Sequence, residues 1–185
     1  MIAPNSKILA LDLGEGEPIS TSIADLYKRY SYLARDDIIN PRDLRITDWT
    51  GWTELTMITK SHNNCRWFRI STPHAHIDVS ENNIIPIYAP QHRKIGFHGE
   101  VLYRVKMVPV FTLPNPDPQF KYVRVRDIAT DDGLVIQFEE YHIEEIDPIE
   151  YGYNLRTRSG YFNANRIHAY ADLSHMGYDD SDVYK

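Results

Sequence analysis

The sequence predicts a single all-β domain with one or two short helices. Short segments rich in β-branched and aromatic residues recur along the chain and alternate with turn signals. Only one stretch carries the apolar spacing of an amphipathic helix. The chain has 185 residues, of which 42% are hydrophobic, and this is enough for one domain with a real core.

The first half of the chain contains the helix and the clearest short strands. SKILALDL is an apolar run that ends at the turn GEGEP. TSIADLYKRYSYLARDD is the helix candidate, because Ser or Thr can cap it and one face carries Ile23, Leu26, Tyr27 and Tyr30. CRWFRIST, AHIDVS and IIPIYA are then three short strands.

The second half predicts longer strands and two hairpins. GEVLYRVKMVPVFTL is a long strand that Pro109 interrupts, and TLPNPDPQF is a rigid surface loop. KYVRVRDI and GLVIQFEEYHI are expected to pair around ATDDG, because Asp-Gly tolerates positive φ. YGYNLRT and GYFNANRI are expected to pair around RSG.

Charge, cysteine content and hydropathy exclude several classes of protein. The formal net charge of −6 argues against a nucleic-acid partner. No apolar run is long enough for a membrane helix, and the N-terminus lacks the pattern of a signal peptide. Cys65 is the single cysteine, which excludes an internal disulfide. We therefore expect an intracellular protein, or one carried inside a particle made in a cell.

Four stretches, in order, resemble the Hint superfamily, which comprises inteins and the autoprocessing domain of Hedgehog proteins. They are MIAPNSKILAL, DWTGWTELTMITK, FRISTPHAHIDVSENNIIPI and YGYNLRTRSGYFNANRIHAYAD. The resemblance runs from residue 1 to about 172 and implies a pseudo-symmetric β fold that holds the two ends together. No endonuclease-like segment separates the blocks, so this would be a minimal domain of 1–172 followed by an acidic tail of 173–185.

The resemblance assigns catalytic roles to positions that hold other residue types here. Family members start with Cys or Ser, which attacks the preceding carbonyl, but Met1 has a thioether. Ser80 can replace the family's Thr, whereas Asn83 stands where a His belongs and cannot shuttle a proton near pH 7. The remaining degenerate positions are Asn154, Tyr170, Ala171 and Asp172, which replace an assisting Asp, a His, the cyclising Asn and the next nucleophile.

A shifted alignment would use Asn165 and His168 as the Asn/His pair instead. His168 is then followed by Ala169, so cyclisation still fails. By contrast, the apolar scaffold is retained, and we expect it to pack the core: Ile8, Leu9, Ile70, Ile77, Val79, Leu155, Phe162 and Ile167.

A metal site is the main competing signal. His74 and His76 alternate, so a strand would place both on one face, and His62 with Cys65 on a neighbouring strand would complete four zinc ligands. The spacing matches no standard zinc motif, so we expect no metal and no other cofactor.

We therefore expect a catalytically inactive Hint-like domain that acts as a structural or binding module. Met1 suggests an independent gene, and a small β domain with an acidic tail suits an assembly, such as a minor or cement component of a virus particle beside capsid proteins. Tyr178 and Tyr184 would anchor the tail on a partner. The alternatives are a self-processing domain with residual C-terminal cleavage and a zinc-dependent hydrolase.

Overall fold

The computed structural model describes residues 1–48, 50–62, 64–88, 101–103, 106–111, 120–129, 136–138 and 141–170. Within them the chain forms three larger antiparallel sheets, a two-stranded hairpin, two short α-helices and one 3-10 turn. The all-β prediction is confirmed. None of the described helices is long and apolar enough to cross a membrane.

The strands and helices have the following bounds. The strands are β1 (Lys7–Asp12), β2 (Pro18–Ser22), β3 (Ile38–Ile39), β4 (Leu44–Thr47), β5 (Trp52–His62), β6 (Trp67–Ser71), β7 (His76–Ser80), β8 (Ile84–Tyr88), β9 (Val101–Tyr103), β10 (Lys106–Val108), β11 (Phe120–Arg124), β12 (Ile136–Phe138), β13 (Tyr141–Ile146), β14 (Tyr151–Thr157), β15 (Tyr161–Ala164) and β16 (Ile167–Tyr170). The helices are α1 (Ile23–Arg29) and α2 (Val125–Ile128).

The longest strand, β5, organises the first sheet. The sheet runs β14-β5-β4-β1-β2, and β3 also pairs with β5. β1 is the strand expected from SKILALDL, and across the GEGEP turn it pairs with β2, with Gly16 at a φ of 81° in the turn. On β1, Ile8 and Ala10 point into the core, whereas Leu9 is 40% exposed. The prediction that Leu9 packs the core is therefore wrong, because strand alternation places it on the outer face.

Helix α1 confirms the predicted cap and buried face but ends earlier than predicted. The Ser22 Oγ accepts a hydrogen bond from the Asp25 backbone N–H, and Ile23, Leu26, Tyr27 and Tyr30 are buried. The helix stops at Arg29, and a 3-10 turn follows at Ser31–Leu33. Asp36 and Asp37 adopt positive φ, which a continuous helix does not allow.

Two four-stranded sheets complete the domain. One runs β12-β13-β6-β7 and the other runs β11-β8-β16-β15. Strands β6, β7 and β8 confirm the three short strands predicted in the middle of the sequence. Except for Leu9, the retained scaffold positions named above are all buried in one cluster.

Both predicted hairpins are wrong in their pairing. β14 pairs with β5, and GYFNANRI itself folds into the hairpin β15–β16. Its turn is Asn165–Arg166, with φ of 51° and 65°. Likewise β11 pairs with β8, and GLVIQFEEYHI contains the hairpin β12–β13. In each case the first strand of the expected hairpin pairs with a strand that is distant in sequence, and the local turn signal did not indicate that partner.

The region around Pro109 also differs from the prediction. β9 and β10 form a hairpin before the proline, where a single long strand was predicted. Residues 112–119 of the predicted loop lie outside the described residues.

Asn165 joins the three larger sheets at one point. Its Oδ1 accepts from the Lys7 backbone N–H at 2.6 Å, and its Nδ2 donates to the His76 carbonyl at 2.8 Å. Its own N–H donates to the Lys7 carbonyl. The β15–β16 turn is thereby fixed to β1 and β7, and the left-handed conformation suits an Asn.

We predict that Asn165→Ala lowers the free energy of unfolding by about 2–3 kcal/mol. It removes two side-chain hydrogen bonds of about 1 kcal/mol each and leaves a left-handed backbone that Ala disfavours. Urea denaturation measures the change. Arg166→Ala is the matched control, because Arg166 is the exposed neighbour in the same turn, and its loss should stay within about 0.5 kcal/mol. Equal losses for the two variants would contradict the role given to the Asn165 side chain.

Candidate functional site

The first residue of the chain is held inside the protein by the end of β7. The Met1 nitrogen donates to Ser80 Oγ at 2.7 Å and lies 3.5 Å from Asn83 Oδ1. The Met1 carbonyl accepts from the Ser80 backbone N–H at 2.9 Å. All three residues are buried. The structure thus brings together Met1, Ser80 and Asn83, three positions that the sequence assigned to one site.

Backbone pairing explains why Met1 lies there. Ile2 bridges to Tyr153 on β14 and to Val79 on β7, so the N-terminal segment runs between two strands. The Ile2 N–H donates to the Tyr153 carbonyl at 2.8 Å, and the Ala3 N–H donates to the Asp78 carbonyl at 2.9 Å. Residues 1–3 are therefore positioned by two sheets at once.

A tight turn after β7 directs Asn83 toward Met1. The Asn83 N–H donates to the Ser80 carbonyl at 3.0 Å, and the Asn83 carbonyl accepts from the Val125 N–H at 3.0 Å. Asn83 is thus fixed on both sides of its Cα, and its carboxamide oxygen is presented to the Met1 nitrogen.

Gly152 allows the close approach of the N-terminal segment. A Cβ at this position would lie 2.6 Å from Trp67 Cη2, 3.0 Å from the Ile2 carbonyl oxygen and 3.0 Å from Met1 Cβ. Met1 itself packs in a small apolar cluster with Ala3, Cys65 and Trp67. The sequence analysis missed Gly152 and Trp67, although a glycine within a strand pattern is a known sign of close backbone approach.

The end of β16 reaches the same place. The Tyr170 backbone pairs with Ile84, which directly follows Asn83. The start of the chain and the end of the described residues therefore converge on the β7–β8 turn. Ala171 and Asp172, the last two degenerate positions, lie outside the described residues.

The Asn154 side chain is buried on β14, two residues after Gly152, and has no hydrogen-bond partner among the described residues. On β14, Tyr153 and Leu155 face the main core, so Asn154 shares the other face with Gly152. Neither Asn154 Oδ1 nor Asn154 Nδ2 has a hydrogen-bond partner among the described residues. A buried carboxamide in this state is costly, and it does not titrate as would the Asp that the resemblance implies at this position.

The described side chains that bond to the Met1 nitrogen can bind and orient a peptide unit. Ser80 supplies a hydroxyl and Asn83 supplies a carboxamide oxygen. Burial raises the pKa of Tyr153 to about 12, so this phenol stays protonated. The Met1 thioether has no proton to lose and does not act as an acyl acceptor.

The alternative Asn/His pair is not arranged for cyclisation. The Asn165 side-chain nitrogen, which would have to attack, donates to the His76 carbonyl. His168 lies on β16 opposite Asn163. Asn165 therefore connects sheets in this structure.

The polar residues of the C-terminal block mostly stabilise turns. Thr157 Oγ1 donates to the Tyr161 carbonyl at 2.8 Å, and Asn163 Nδ2 donates to the Asp48 carbonyl at 2.8 Å. Burial opposes ionisation of Asp48, but hydrogen bonds from Ser159 and Thr50 outweigh it and hold the pKa of that carboxyl below its usual value. The density of Asn, Ser and Thr in this block follows from the fold.

The structure does not bring the four metal-ligand candidates together. His62 is exposed at the end of β5 and contacts the Tyr151 ring, whereas Cys65 is buried beside Met1. His76 pairs with Ser71 at one end of β6, whereas Trp67, which packs with Cys65, lies at the other end. Ser71 and Trp67 are four residues apart, which is about 13 Å along the strand. Only His74 and His76 line a common groove. No group of three or more His, Cys, Asp or Glu among the described residues could hold a metal ion.

The two proposed tail anchors, Tyr178 and Tyr184, lie outside the described residues. Their role in partner binding stays a prediction.

Comparison with solved structures identifies the fold. The crystal structure of the Mvu transcription factor IIB mini-intein covers 91% of this chain and 98% of its own, with a TM-score of 0.53 and 13% identity. An intein from a hyperthermophile gives a TM-score of 0.57 at 11% identity, over 91% of this chain and 98% of the other. The PabCDC21-1 intein gives a TM-score of 0.55 at 18% identity, over 92% of this chain and 97% of the other.

These likenesses show that the chain has the Hint fold of inteins, as the four sequence blocks implied. No protein-family model matches the sequence. The curated proteins contain no significant match to it.

We predict that Gly152→Ala destabilises the protein by about 1–3 kcal/mol, because the added methyl overlaps the Trp67 ring and the N-terminal segment. Chemical denaturation measures the loss. Trp67→Phe removes the ring atom nearest to the new methyl, so the double variant should lose less than the sum of the two single losses. Strict additivity would contradict the contact between Gly152 and Trp67 as the cause.

Proposed function

We propose that this chain is a Hint-fold domain that keeps the end-holding architecture of inteins but does not cleave the bond before residue 1. It acts instead as a binding or structural module. The observation that carries the proposal is the buried contact of Met1 with Ser80 and Asn83, in which the described side chains are a thioether, a hydroxyl and a carboxamide.

The first chemical step has no acyl acceptor at residue 1. In inteins a thiol or hydroxyl of the first residue attacks the preceding carbonyl carbon, and the C–N bond gives way to an ester or thioester bond. Met1 carries a methylated sulfur that is packed against Trp67 and Ala3. The site therefore supports orientation of the peptide unit at residue 1, and not its rearrangement.

The leaving nitrogen also lacks an acid. Asn83 Oδ1 accepts a hydrogen bond from the Met1 nitrogen. Bond cleavage requires instead a group that donates a proton to that nitrogen. The Ser80 hydroxyl oxygen already accepts from the Met1 nitrogen, which is the amino terminus in this structure. The two side chains thus serve as hydrogen-bond acceptors at this nitrogen, which supports a binding role for the site.

The scaffold around this site favours a role that depends on shape. Seven of the eight retained apolar positions are buried in the main cluster, and Gly152 preserves the close approach at Met1. The structure brings residue 1 and Tyr170 to the same β7–β8 turn, which supports a role as a scaffold within an assembly. A place in a virus particle beside capsid proteins remains a prediction.

Residual C-terminal self-processing is the competing function. The pairing of Tyr170 with Ile84 brings the end of β16 to the site, which favours this function. Ala171 at the position of the cyclising Asn opposes it, because a methyl group cannot attack the backbone carbonyl.

The test places the full chain between two reporter domains and follows the products by intact mass. We predict that the fusion stays uncleaved and unligated. The variant M1C/N83H should regain thiol-induced cleavage before residue 1, at a rate about 10²–10⁴ times that of M1C alone, because residue 83 then supplies the proton.

Two outcomes would contradict the proposal. Release or ligation of a reporter by the unmodified fusion would show that other residues have taken over the chemistry. An inert M1C/N83H variant with unchanged folding would show that residues 80 and 83 do not address the bond before residue 1.

A further inference from the structure

A second feature, away from the Met1 site, is an open groove of about 810 Å³ where the three larger sheets meet. Its walls come from the start of β1, the turn before β7 and the β15–β16 turn. The Asn165 side chain connects these walls through its hydrogen bonds to Lys7 and His76. The lining residues are Lys7, Ile8, Leu9, Ser20, Thr47, His74, Ala75, His76, Asn163, Asn165 and Arg166. The volume lies in the range of ligand and peptide sites.

The groove is cationic although the chain carries a net charge of −6. Lys7 and Arg166 are exposed on it, and neither forms an ion pair among the described residues. His74 and His76 add two imidazoles, and none of the described lining residues carries a carboxylate. Five other arginines of the described chain pair with acidic residues, for example Arg69 with Asp78. The cations of this groove are thus available to an acidic occupant.

The groove also offers an apolar contact. Leu9 is 40% exposed on the outer face of β1, and Ala75 lines the groove from the turn before β7. A ligand that combines carboxylates with apolar side chains therefore matches the surface better than a small inorganic anion does.

We propose that this groove binds the chain's own acidic C-terminal segment, residues 171–185. That segment contains Asp172, Asp179, Asp180 and Asp182 interspersed with the apolar side chains of Leu173, Met176, Tyr178, Val183 and Tyr184. Its carboxylates complement Lys7 and Arg166, and its apolar residues cover Leu9.

The position of Tyr170 makes binding within one molecule feasible. The β15–β16 turn that borders the groove is about 13–17 Å from Tyr170 along β16. The segment 171–185 can span up to about 50 Å when extended. Because the segment is tethered, its effective concentration at the groove is on the order of millimolar, so weak contacts suffice.

The experiment uses the full chain with a nitroxide spin label on Ser181→Cys, since Cys65 is buried and poorly reactive. In ¹⁵N-labelled protein, we expect broadening of the amide signals of Leu9, Ala75 and Asn165, relative to the reduced label. The variant Lys7→Gln/Arg166→Gln should lower the docked population about fivefold. Lys28→Gln/Arg156→Gln, which removes two cations outside the groove, should leave it unchanged.

A mixed sample identifies the source of the occupant. Spin-labelled protein at natural isotope abundance is added to ¹⁵N-labelled protein that carries no spin label. If the segment binds within its own molecule, the amide signals of the ¹⁵N-labelled protein are not broadened. Broadening in the mixture would assign the groove to a second copy's segment and overturn binding within one molecule. Absence of broadening in both samples, or equal effects of the two double variants, would overturn the proposal as a whole.

Discussion

The pairing of Ile2 on both sides is the constraint on which the rest of the structure depends. Ile2 is fully buried and bridges Tyr153 on β14 and Val79 on β7. Buried backbone groups must be paired, so a residue bonded to two strands fixes the distance and register between the sheets that contain them. Gly152 is the residue that lets the strands approach closely enough.

The surroundings of Met1 follow from this register. Once Ile2 is fixed, the Met1 nitrogen and carbonyl are both buried and need partners, and Ser80 provides both of them. A hydroxyl and a carboxamide satisfy this requirement as well as a hydroxyl and an imidazole do. At residues 1 and 83, what folding requires therefore differs from what catalysis would require. The fold needs a hydrogen bond at each position, whereas catalysis would need a nucleophile and a proton.

Sequence patterns predicted the elements better than their pairing. Strands β6 to β8 and the buried face of α1 were readable, because alternation and helical spacing are local properties. The pairing of β14 with β5 was not readable, because its partner lies about a hundred residues away while a nearby turn offered a false hairpin. Met1, Ser80 and Asn83 were found through the resemblance. Gly152 and Trp67 were missed because their importance arises only from a tertiary contact.

Native-state amide hydrogen exchange reports whether residues 1–3 form part of the folded core. We expect the amides of Ile2, Ala3, Tyr153 and Ser80 to exchange only through global unfolding, with free energies equal to that of the β5–β14 pair. Exchange of Ile2 and Ala3 at rates typical of a frayed terminus, while β5 and β14 stay protected, would contradict this expectation.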